Sequence, residues 1–120
     1  MIKKIAILGS TGSIGESTLK IVKTTQKFNV ELIYANKNFS KIDYQIKFFK
    51  PKIVIINNTN IYKKIKKKYE FKKKLIILNN TINLDKYIKT IDITISAIPG
   101  IAGLEPTLLF IKLSKKVLLA

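Results

Sequence analysis

Cysteine, histidine, arginine and tryptophan are all absent from this chain of 120 residues. Without cysteine it can build neither a disulfide framework nor a thiolate metal site. Without histidine it lacks the commonest general base and metal ligand. Acidic residues are scarce: Glu16, Glu31, Asp43, Glu70, Asp85, Asp92 and Glu105 are the full set, and they are scattered along the chain. A magnesium site needs hard oxygen ligands grouped together, so no metal-ligating residue is assigned, and no catalytic one. Long apolar runs are missing too, none approaching the roughly 18 residues of a spanning helix. The run Ile5–Leu8 is too short for a signal core and ends in a glycine turn. The default expectations are no membrane partner and a cytoplasmic location.

What is abundant is lysine, which supplies every basic residue and a net charge of +16. Such a charge suggests nucleic acid. A nucleic-acid surface normally uses arginine for bidentate contacts to bases and phosphates, and isoleucine and asparagine are inflated alongside lysine. The expectation is therefore no nucleic-acid partner, with a basic nucleic-acid-binding module kept as a distant alternative. The length fits one domain with a real core.

The residues with most to say are Gly9-Ser10-Thr11-Gly12-Ser13-Ile14-Gly15. A strand-like run, Ile5–Leu8, enters this turn and an amphipathic helical pattern, Ile14–Val22, leaves it. Strand, glycine-rich turn and helix start make the opening of a dinucleotide-binding unit. Gly9 permits the tight turn, Gly12 lets bare backbone approach a pyrophosphate, and Gly15 lets helix and strand pack closely. Amides at the helix start, with the Thr11 and Ser13 hydroxyls, form an anion site. Ser13 and Glu16 have capping-box spacing. Ile14, Thr18, Ile21 and Val22 are expected to share the buried face.

Phe28–Ala35 reads as the second strand and runs out into Asn36-Lys37-Asn38. An enzyme using the non-phosphorylated cofactor usually has a carboxylate there; an ammonium and two amides suit a 2′-phosphate instead. Ser40–Phe49 follows as a helix stopped by Pro51, then a strand Ile53–Ile56 and a helix capped by Thr59. In that helix Ile61, Ile65 and Tyr69 form the apolar stripe, and Lys63, Lys64, Lys66, Lys67 and Lys68 a solvated face. An edge strand at Leu75–Leu78, a short helix at Leu84–Lys89, a strand at Asp92–Ile98 beside the first, a helix at Leu104–Leu113 and a strand at Lys116–Ala120 complete the pattern. Alternation at this spacing predicts an α/β, Rossmann-like, doubly wound and mostly parallel sheet with helices on both faces.

Several stretches together resemble one family. Ile5–Leu19, IAILGSTGSIGESTL, is similar to the opening of 1-deoxy-D-xylulose 5-phosphate reductoisomerases. Ala35–Asn38 resembles the family's Ala-Gly-Lys-Asn turn, and Phe49–Lys52 its Phe-x-Pro-Lys segment. Ser96–Leu104 resembles its Ala-Ile-Val-Gly-x-x-Gly-Leu loop, and Lys116–Ala120 its Lys-x-Ile/Val-Leu-Leu-Ala strand. The resemblance implies conversion of 1-deoxy-D-xylulose 5-phosphate, a phosphorylated sugar, to 2-C-methyl-D-erythritol 4-phosphate in the non-mevalonate route to isoprenoids. It implies NADPH and a divalent metal, Mg²⁺ or Mn²⁺, and a homodimer for the full-length enzyme. By position, Thr11, Gly12, Ser13 and Ile14 would cradle the pyrophosphate. Asn36, Lys37 and Asn38 would hold the ribose and its 2′-phosphate, with Ala97–Gly100 beside the cofactor.

Two positions depart from the family pattern. Asn36 stands where glycine is usual, and asparagine tolerates positive φ; Pro99 replaces an aliphatic residue and removes a backbone N–H. The family's Asn-Lys-Glu-Ser and Asp-Ser-Glu-His segments have no counterpart among these residues. Residues 1–120 are thus expected to be the NADPH-binding Rossmann domain, truncated at its carboxyl end. The family's catalytic, metal-binding and C-terminal domains are expected to lie outside these residues, and the chain is expected to be inactive alone. The alternative is an NADP-binding domain of another Rossmann oxidoreductase. Extended short-chain reductases share the glycine spacing and carry a Tyr-x-x-x-Lys pair, which only Tyr62 and Lys66 match, inside the lysine run.

Overall fold

The apolar runs of the sequence become the strands of one sheet. A computed structural model describes residues 2–120. In chain order the elements are β1 (Lys3–Leu8), α1 (Ser13–Lys23), β2 (Phe28–Ala35), α2 (Phe39–Phe49), β3 (Ile53–Ile56) and α3 (Thr59–Lys68). Then come β4 (Ile76–Leu78), β5 (Ile91–Ser96), α4 (Leu104–Leu113) and β6 (Ser114–Leu119), with single 3-10 turns at Leu84–Lys86 and Ile101–Gly103. The six strands lie in the order β4-β3-β2-β1-β5-β6, and every ladder is parallel. A parallel sheet needs cover on both faces. Leu19 and Val22 of α1, Ile42 and Ile46 of α2, and Ile65 and Tyr69 beside α3 cover one face over Ile7, Ile33 and Val54. Phe110 of α4, with Leu84 and Ile88, covers the other over Leu8, Leu32 and Ile55. The chain winds one way from β1 to β4 and the other way from β5 to β6. The carboxyl ends of β1 and β5 therefore flank the switch point where ligands bind in such sheets.

Four local expectations are corrected. The buried face of α1 is Gly15, Leu19 and Val22, while Ile14 and Ile21 are 49% and 66% exposed. Gly15 must face the turn, because a Cβ there would lie 2.1 Å from the Gly9 carbonyl oxygen. That orientation carries positions 19 and 22 inward and turns 14 and 21 about 100° away. The Ser13–Glu16 capping box does not form. Gly12 is the N-cap residue, so Ser13 already lies inside the helix and the Glu16 carboxylate pairs with Lys41 instead. The cap of α3 is Asn58, not Thr59; its Oδ1 accepts from the Ile61 N–H at 3.1 Å. The helix expected at Leu84–Lys89 is reduced to the single 3-10 turn.

Lysines precede or open every strand: Lys3 and Lys4, Lys27, Lys50 and Lys52, Lys72–Lys74, Lys89, and Lys115 with Lys116. In a parallel sheet these positions share one edge, the amino edge. All are exposed.

Asp43 ties α2 to α3. Its carboxylate accepts from Lys68 Nζ at 2.8 Å and from the Tyr69 hydroxyl, with Lys47 Nζ at 3.3 Å. Partial burial alone would raise its pKa, but the hydrogen bonds from Lys68, Tyr69 and Lys47 outweigh it and hold the carboxyl below its ordinary value. Burial, and then the carboxylate it donates to, pushes the Tyr69 phenol up, so it remains a donor. A carboxyl lowered in the folded state stabilises fully above its unfolded pKa of about 4, and the contribution fades as pH falls through the folded value. Asp43→Asn is expected to lower stability at pH 7 by about 1 kcal/mol. It should also flatten the loss of Tm below about pH 4. Thermal melts of both proteins across that range test this, and parallel acid limbs would contradict it.

Candidate functional site

At the carboxyl end of β1 the chain turns on Gly9, whose φ is 84°. The Gly9 and Ser10 N–H groups both donate to the Tyr34 carbonyl of β2, at 2.8 and 3.1 Å. A Cβ on Gly9 would also meet the Ala97 carbonyl oxygen at 2.9 Å, so the turn sits directly against the loop that follows β5. Gly12 is different. Its φ is −80°, and a Cβ there would meet only the Gly9 oxygen, at an ordinary 3.6 Å. Nothing within the chain requires glycine at position 12; the space beside it is free for something from outside.

The mouth of α1 is uncapped. The Asn38 side chain caps α2 by accepting from the Lys41 N–H at 3.1 Å, and Asn58 caps α3. Gly12 brings no side chain to α1. The first amides of a helix have no intrahelical acceptor, so those of Ser13, Ile14 and Gly15 remain available, with the positive end of the helix dipole behind them. Beside this mouth opens a cleft of about 300 Å³ lined by Gly9, Thr11, Gly12, Tyr34, Ala35, Asn36, Asn57 and the loop residues Ala97, Ile98, Pro99 and Ala102. A shallower depression shares Thr11 and Asn36 with it and adds Lys37, Asn38, Phe39 and Ser40.

The structure thus brings Thr11, Gly12, Asn36, Lys37 and Asn38 around two adjoining hollows. Ser13 and Ile14 lie at the helix mouth and line neither. Lys37 is exposed. Asn38 spends its side-chain oxygen on the α2 cap, leaving its amide as a donor. Asn36 does not take positive φ, since Lys50 alone among the described non-glycine residues does. Pro99 lies exposed in the loop lining the cleft. The negative charge of Glu16 near an anion site is offset by its ion pair with Lys41, whose Nζ also approaches the Thr11 carbonyl oxygen at 3.4 Å.

Sequence reasoning missed Tyr34 and Asn57 in the cleft lining. Asn57 ends β3 at the ligand edge, as Asn36 follows β2, so the strand-end rule reaches it. Burial, and next the Glu105 carboxylate, raises the pKa of the Tyr34 phenol. Tyr62 and Lys66 do touch, at 3.0 Å, but on α3 and outside the cleft lining. Among the described residues no three acids converge, so this stretch does not fit a magnesium site.

Comparison with known proteins gives the same direction. The sequence profile described as 1-deoxy-D-xylulose 5-phosphate reductoisomerase matches residues 5–120. The chain belongs to this family. A reductoisomerase of Pelagibacter ubique is 45% identical over 98% of the chain, and that of Buchnera aphidicola is 44% identical over the same share. The chain spans 31% of the length of either relative. Among solved structures, the reductoisomerase of Zymomonas mobilis in complex with NADPH superposes with a TM-score of 0.86 at 28% identity. That match covers 100% of this chain and 32% of the other. A reductoisomerase in complex with NADPH, fosmidomycin and magnesium gives 0.87 at 28% identity, covering 99% of this chain and 30% of the other.

Proposed function

We propose that this chain is the NADPH-binding part of an enzyme converting 1-deoxy-D-xylulose 5-phosphate to 2-C-methyl-D-erythritol 4-phosphate. The observation that carries the reading is the uncapped mouth of α1, opening beside a cleft at the switch point of the sheet, with Lys37 in the adjoining hollow. The residues fit the cofactor. Thr11, Gly12, Ser13 and Ile14 bind the pyrophosphate through backbone amides and hydroxyls. Lys37, with Asn36 and the Asn38 amide, holds the ribose and its 2′-phosphate. Ala97–Gly100 lies beside the cofactor. When bound, NADPH supplies a hydride; this chain's part is to hold and orient it at the carboxyl edge. The Mg²⁺ or Mn²⁺ ligands and the groups that handle the sugar phosphate lie outside residues 1–120. The full-length enzyme is read as a cytoplasmic homodimer acting on a small phosphorylated sugar.

Fluorescence titration of the chain with NADPH is expected to saturate, with NADPH preferred over NADH. The chain alone should give no turnover with NADPH, Mg²⁺ and 1-deoxy-D-xylulose 5-phosphate. A titration without saturation, or measurable turnover, would overturn the reading.

A further inference from the structure

Gln45 is out of place by composition. It sits on the inward face of α2 between Ile42 and Ile46, only 3% exposed. Its Oε1 has no partner among the described residues. A buried amide left half satisfied is unfavourable, so the one bond that it makes must account for it. That bond crosses 35 positions of sequence: Gln45 Nε2 donates to the Ser10 carbonyl oxygen at 2.9 Å. Ser10 is itself fully buried, and its N–H is held by Tyr34 at 3.1 Å. Both ends of this residue are therefore fixed from within the fold.

The geometry of the peptide unit gives the contact a consequence. In a planar trans peptide the carbonyl of one residue and the N–H of the next point in opposite directions. Holding the Ser10 carbonyl toward α2 therefore turns the Thr11 N–H away from α2. Thr11 lines both hollows, and its N–H has no protein acceptor among the described residues. Were this peptide to turn over, a carbonyl oxygen would face the anion site in place of a donor.

We propose that Gln45 is a positioning residue of the nucleotide site, presenting the Thr11 N–H to the cofactor pyrophosphate without touching the cofactor. The proposal rests on the NADPH reading above. It is tested with two ligands that use different parts of the site: NADPH, which spans the turn, and adenosine 2′-phosphate, which reaches only the Asn36–Asn38 side. Gln45→Leu keeps the volume and removes the donor; it is expected to weaken NADPH binding about tenfold and leave adenosine 2′-phosphate within about twofold. Gln45→Glu supplies a second readout that does not depend on the leucine variant folding. Its carboxyl can donate only when protonated. Its NADPH affinity relative to the unaltered protein should approach parity near pH 5 and fall about tenfold by pH 8.

Equal losses for both ligands, unchanged NADPH binding in Gln45→Leu, or a Gln45→Glu ratio flat with pH would overturn the positioning role. Failure of the unaltered chain to bind either ligand would instead remove the cofactor reading, and this inference with it.

Discussion

Gly15→Ala is expected to destabilise the fold by about 3 kcal/mol, the upper end of what overpacking usually causes. The melting temperature should fall by roughly 10 °C, and NADPH binding should be lost with it. The size follows from what the new methyl would meet. Its Cβ would lie 2.1 Å from the Gly9 carbonyl oxygen and 2.7 Å from the Ser10 Cα. Both are backbone atoms, which cannot move aside as a flexible side chain would. Relief requires α1 to shift away from β1, and the helix mouth moves with it. Gly12→Ala is the matched control. There the Cβ would have only an ordinary contact at 3.6 Å, so the melting temperature should hold. NADPH affinity should still fall more than about tenfold, because the methyl fills the space a pyrophosphate would take. Calorimetry and fluorescence titration on the two variants separate the roles. A Gly12→Ala chain that binds NADPH normally would mean that no phosphate lies against that residue.

Lys37→Glu carries the second large effect. A charge-assisted contact from an ammonium to a phosphate contributes about 1.5–3 kcal/mol, and the substituted carboxylate repels the group that the lysine attracted. NADPH should bind about ten- to a hundredfold more weakly, while NADH, which has no 2′-phosphate, should change little. Lys37 is exposed and outside every ion pair given for the described residues. Its replacement therefore breaks no internal bridge, and melting temperatures should match. Paired dissociation constants for the two cofactors decide the matter. Equal weakening of both would remove Lys37 from the 2′-phosphate.

The elements were legible in the sequence wherever a punctuating residue bounded an apolar run. Phe28–Ala35 ends at an asparagine, Ile53–Ile56 follows Pro51, and Leu104–Leu113 follows a glycine loop; all three are found at those bounds. The glycine turn and the Asn36-Lys37-Asn38 strand end were also legible, because each is a local pattern with a chemical reason. The inward face of α1 was not. Ile14, Thr18 and Ile21 make as good a stripe as Gly15, Leu19 and Val22, and the choice is made by one glycine meeting one carbonyl across the turn. The bonds of Gln45 to Ser10 and of Lys41 to Glu16 and Thr11 were equally hidden. They join residues 35, 25 and 30 positions apart, a separation on which helical and strand periodicity are silent.

The placement of the lysines limits what the charge of +16 can do. A strand of six residues separates the two edges of the sheet by about 20 Å, while ions at physiological strength damp a field over about 8 Å. Eleven of the 23 lysines lie at the far edge and are electrically invisible to a phosphate held above Gly12. Added salt should therefore loosen the nucleotide as though one or two cations gripped it, however basic the molecule looks in bulk.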